Sequence, residues 1–138
     1  MYLTKTQIKQ QCKEFLHDFD GLLSFGWDSG FNALLAEFPT RKQHEVRQVL
    51  EPHLQQIWDS KSIRTAPLAL KETAGDLGDL RNNQLLFTSE PAAEQLVFAA
   101  WWPWGNGERV SLRIAATAAE NTPVEATGIV ARLKGFFA

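Results

Sequence analysis

Residues 109–116, RVSLRIAA, alternate Val110, Leu112, Ile114 and Ala116 with Arg109, Ser111, Arg113 and Ala115. A period of two is the pattern of an antiparallel strand with one packed face and one wetter face. The preceding strand, QLVFAAWW (95–102), is apolar on both sides: Leu96, Phe98, Ala100 and Trp102 on one, Val97, Ala99 and Trp101 on the other. Such a strand lies inside a sheet covered on both faces, or turns its second face to a partner. Gly105-Asn106-Gly107 joins the two runs, so together they read as a β-hairpin.

The length of the turn decides which tryptophans go inside, because one added residue moves every side chain to the opposite face. With a two-residue Asn106-Gly107 turn, Trp101 opposes Leu112, and Trp102 and Trp104 share the wetter face with Arg109 and Ser111. With a three-residue loop and Gly107 left-handed, Trp102 opposes Val110 and Phe98 opposes Ile114. The second arrangement unites the more apolar halves of the two strands and is the one expected. It makes Trp102 core and sets Trp101 on the second face beside Ser111 and Arg113, within reach of a guanidinium.

Further toward the N-terminus, Ile8, Cys12, Phe15, Leu16 and Phe19 recur at helical spacing over residues 4–19, behind Thr4 as N-cap. A loop is expected over 25–30 and a short helix over 31–37, ended by Pro39. Thr40 and Gln43 form a capping-box pattern. Behind it Val46, Val49, Leu50, His53, Leu54, Ile57 and Trp58 hold one helical face to Asp59, which predicts a single helix bent at Pro52. Residues 60–83 are the least regular, with 63–70 resembling an edge strand interrupted by Pro67 and then a turn-rich loop. Residues 84–89 read as a strand. Thr122, Pro123 and Glu125 open a C-terminal helix whose stripe is Ile129, Val130, Leu133, Phe136 and Phe137.

The fold class expected from these elements is α+β in a single domain, 1–138: N-terminal helices, an antiparallel β-meander of three to four strands, and the C-terminal helix packed on the sheet. Its core should include Phe15, Phe19, Leu50, Ile57, Leu133 and Phe136. A chain of 138 residues with a formal charge of −2 has the size of one domain and no basic field for a phosphate backbone, so no nucleic-acid partner is expected. No apolar run is long enough to span a bilayer and the N-terminus lacks the apolar core of a secretory signal, so a cytoplasmic protein without membrane contact is expected.

Cys12 is the only cysteine, and it reads as a small buried hydrophobe rather than a nucleophile. His17 and His44 fall on polar helix faces, whereas His53 falls on an apolar one as a core histidine. Neither a metal-ligating motif nor a GxSxG, Walker or GxGxxG pattern occurs, so no catalytic residue, metal or cofactor is assigned and an enzyme is the less favoured class. The leading expectation is a non-enzymatic protein-interaction module, such as a regulator, adaptor, chaperone or immunity-type protein. Its surface would carry Trp101, Trp104, Arg109 and Arg113, for self-association as a homodimer or for another protein. The alternative is a small-molecule-binding domain or enzyme with a tryptophan-lined pocket between helices and sheet, approached by Asp79 and Arg81.

Overall fold

The computed structural model describes residues 2–90 and 95–118. In chain order these form α1 (Lys5–Gln11), α2 (Lys13–His17), β1 (Gly26–Asp28), β2 (Ala33–Pro39), α3 (Gln43–His53), β3 (Gln56–Trp58), α4 (Leu68–Ala74), β4 (Leu85–Thr88), β5 (Val97–Pro103) and β6 (Arg109–Ala116). The class is α+β, as expected. Among the described residues the sheet, however, has six strands rather than three or four, all antiparallel, in the order β1-β2-β6-β5-β4-β3. The expected C-terminal helix, with Leu133 and Phe136, lies outside the described residues. No helix among the described residues is long and apolar enough to cross a membrane.

Two of the differences have one cause. Strand pairing took segments that local periodicity assigned elsewhere. Residues 31–37 were expected to be helical, yet Leu34, Ala36 and Phe38 are buried at period two. Pairing with β1 on one side and β6 on the other satisfies the β2 backbone where a short helix would have had to do so alone. The same holds at Pro52, where the helix does not bend and continue to Asp59. It ends at His53, and Gln56–Trp58 leave to pair with β4, the Trp58 indole donating to Thr88 Oγ1 at 2.9 Å. Ile57, expected in the core, therefore projects from an edge strand and stays 41% exposed. The supposed edge strand at 63–70 is instead a 3-10 turn, Ser62–Thr65, followed by α4 with Pro67 just ahead of its first turn.

Both faces of the sheet carry a core. On the first, α1, α2 and α3 bring Ile8, Phe15, Val46 and Leu50, and the turn after α2 brings Phe19, onto Leu34, Phe38, Phe87, Trp101, Leu112 and Ile114. Thr4 caps α1 as expected, in a capping box with Gln7. On the second face, Ile63, Ala66, Leu70, Ala74 and Leu77 cover Ala33, Leu86, Phe98, Ala100 and Ala115. The Tyr2 hydroxyl, donating to the Thr73 carbonyl, ties the N-terminus to α4. The two-sided apolar character of β5 is explained by this double cover.

The parity expected of the hairpin is reversed. Trp101 pairs with Leu112 and Trp102 with Ser111, so Trp101 is core at 3% exposure and Trp102 stands on the second face. Gly107 is left-handed (φ 73°), as the three-residue loop required, but the loop holds four residues, 105–108, between Trp104 and Arg109. The extra residue is Glu108. Its N–H donates to Asn106 Oδ1 at 3.0 Å, and its carbonyl accepts from Thr40 N at 3.0 Å. Thr40, expected to cap a helix, instead donates its hydroxyl to the Gly107 carbonyl at 2.7 Å. A residue far away in sequence thus stabilises the loop length that sets the register.

Because a Cβ at Gly107 would meet no atom within 4 Å, replacing it with alanine costs only backbone strain. Gly107→Ala is expected to destabilise by about 1–2 kcal/mol. Chemical denaturation measures this, and an unchanged midpoint would contradict the left-handed turn.

Candidate functional site

α4 and its flanking turns cover one part of the second sheet face. The end nearest the β5–β6 hairpin is laid out by the strand register: Glu37, Ser111 and Trp102 lie side by side across β2, β6 and β5, with Pro39, Arg109 and Trp104 as the next row outward. Trp104 is 37% exposed, one of few large apolar side chains left so. Its indole is nonetheless held in place, since Nε1 donates to Ser111 Oγ at 3.0 Å and the Arg109 guanidinium lies 5.7 Å from the ring centroid. Ser111 in turn donates to Glu37 Oε2 at 3.4 Å.

Behind this row sits Arg113. Its guanidinium is 4.5 Å from the Trp102 ring and 5.2 Å from that of Phe31, and its Nε donates to Asp28 Oδ2 at 2.9 Å. Phe31 and Trp102 meet edge to face at 5.3 Å. Asp28 opens the turn between β1 and β2, its other oxygen accepting from Gly30 N at 2.9 Å. The Arg113 hydrogen bond, with help from that backbone N–H and the Arg113 charge, holds the Asp28 carboxyl below the usual carboxylate range although partial burial opposes it. The Trp102 Nε1 atom is buried with no hydrogen-bond partner among the described residues.

Of the residues singled out in the sequence, Trp104, Arg109 and Arg113 therefore share one surface. Trp101 does not. It is packed between Phe38 (5.5 Å) and Phe87 (5.9 Å) on the first face, roofed by the Arg47 guanidinium at 5.9 Å. Trp102 and Phe31 are the members that sequence reasoning missed, the first through the parity of the hairpin and the second because its turn was read as helix. Arg81 is exposed near the same end, its N–H donating to Gln84 Oε1 at 2.9 Å just ahead of β4, whose Leu85 pairs with Trp101.

Asp79 lies elsewhere, lining a cavity of about 370 Å³ with Ile63, Arg64, Lys71, Gly75 and Gly78. That cavity has neither a tryptophan nor Arg81 in its wall, so the expected convergence of Asp79 and Arg81 on a tryptophan-lined pocket is not found there. His53 is also corrected: it is exposed, with Nε2 2.7 Å from Asp18 Oδ2 and its ring against Phe15. His17 and His44 are exposed, and Cys12 is buried, which pushes its thiol pKa up and disfavours the nucleophilic thiolate. Among the described residues no three His, Cys, Asp or Glu side chains are grouped to hold a metal ion.

No family model, curated protein or solved structure matches the chain.

Proposed function

We propose that the protein is a non-enzymatic protein-interaction module, of the regulator, adaptor, chaperone or immunity type, whose binding surface is the hairpin end of the second sheet face. Trp104 and Arg109 form its outer part and Trp102 and Arg113 its base. The observation that carries this reading is the exposed Trp104 indole fixed by Ser111 and flanked by Arg109. A large side chain already held in one orientation loses little conformational freedom when a partner covers it. Tryptophan and arginine are also the side chains on which binding energy at protein interfaces concentrates.

A photo-reactive amino acid at position 104, introduced in the protein's native cells, should yield covalent adducts with protein on illumination. The same group at Glu45, exposed on α3, should yield none above background. Position 104 behaving like position 45 would end the proposal.

A further inference from the structure

We infer that the partner of this surface is a second copy of the same chain, docked about a two-fold axis so that Arg109 of each copy faces Glu37 of the other. The inference rests on the interaction reading above and names its partner. The charges on the surface carry it. Asp28 and Arg113 neutralise each other at 2.9 Å and leave no net charge at the base. Glu37 and Arg109 are different, because neither belongs to an ion pair among the described residues. They stand on neighbouring strands, Glu37 opposite Ser111 and Arg109 two residues before it, so two unpaired charges of opposite sign lie side by side on the strands of this surface.

A uniformly acidic partner would set like charge against Glu37, and a uniformly basic one would do so against Arg109. A surface carrying the same two charges satisfies both when related by a two-fold axis lying in the contact plane between them. In an interface of this symmetry residue i meets j and j meets i. That axis also turns each Trp104 toward strand β2 of the other copy, where Leu35 is half-buried and offers an apolar counterpart to the indole.

Light scattering over a concentration series tests the pairing. The wild-type mass should rise from 15.5 kDa toward about twice that value. Arg109→Glu alone and Glu37→Arg alone each create two like-charge contacts per dimer and should stay at the single-chain mass. Mixed in equal amounts they should dimerise, since every contact across the mixed interface is again of opposite sign. Recovery in the mixture also shows that both variants are folded.

Wild-type protein that keeps the single-chain mass at every concentration would overturn the inference, as would single variants that dimerise like wild type or a mixture that does not. If the wild type is monomeric while position 104 still captures another protein, only the identity of the partner fails. If position 104 captures nothing, the interaction reading fails with it.

Discussion

Trp101→Ala is expected to lower unfolding stability by about 3–5 kcal/mol, the cost of deleting a large aromatic side chain from a packed core. Trp101 is 3% exposed and touches Phe38, Phe87 and Leu112, so its removal leaves a void lined by side chains that have no room to collapse. Most single domains are stable by only about 5–15 kcal/mol, so the loss is a large share of the total. Trp104→Ala, three residues on, should cost about 1 kcal/mol or less, because a half-exposed indole forfeits one hydrogen bond and a solvent-facing cation contact. Urea unfolding of the two variants reads the difference directly. The reverse ranking would mean that the strand faces are assigned the wrong way round.

The second large effect is expected at Arg113. Its ion pair with Asp28 is mostly shielded, with side-chain exposures of 16% and 20%, and two aromatic rings flank the guanidinium. Removing one partner of a buried pair strands the other charge at about 3–5 kcal/mol. The residual solvent contact screens part of that, so Arg113→Ala is expected to cost about 2–3 kcal/mol. In a double-mutant cycle with Asp28→Ala the losses should be strongly non-additive, since either change alone abolishes the pair.

The effect depends on pH in a defined direction. The folded-state carboxyl of Asp28 is held below its ordinary value, so its contribution is fully present above the ordinary carboxylate pKa. It is lost as pH falls through the lowered, folded value. In Arg113→Ala the stranded carboxylate takes up a proton more readily, so the stability gap between variant and wild type should narrow with acidification. A gap that is constant from neutral to strongly acidic pH would show that the charge of Asp28 contributes nothing to the difference.

The later half of the sheet was legible in the sequence because the signals of its strands are local, the alternation in β6 most of all: 84–89, 95–102 and 109–116 lie where β4, β5 and β6 are found. The capped start of the first helix was legible for the same reason, although the single helix expected over 4–19 is two short ones, Lys5–Gln11 and Lys13–His17, separated at Cys12. The remaining strands were not. β1 and β3 have three residues each, too few to establish a period, and β2 carries the apolar sequence ALLAEF, which fits a helix as readily as a strand until its neighbours are known.

The surface suffered from the same dependence on distant residues. Arg109 and Arg113 were placed on the second face correctly, since β6 alternates unambiguously; Trp104 continues β5, whose phase was in doubt, and joins them only because that phase is the reverse of the one expected. The observed register is the one the two-residue Asn106-Gly107 turn also gives, and what favours it here is the place of Glu108 in the loop, stabilised by Thr40 on another strand's edge, outside the hairpin. Phe31 followed the same fate, because its position against Arg113 exists only once β1 and β2 have paired.

Cross-strand nuclear Overhauser contacts along the β5–β6 ladder test the assignment of faces most directly. Backbone contacts that pair Trp101 with Leu112, Trp102 with Ser111 and Phe98 with Ala115 are the predicted result. Contacts pairing Trp102 with Val110 and Phe98 with Ile114 would return Trp102 to the first face and remove the surface on which the proposed partner binds.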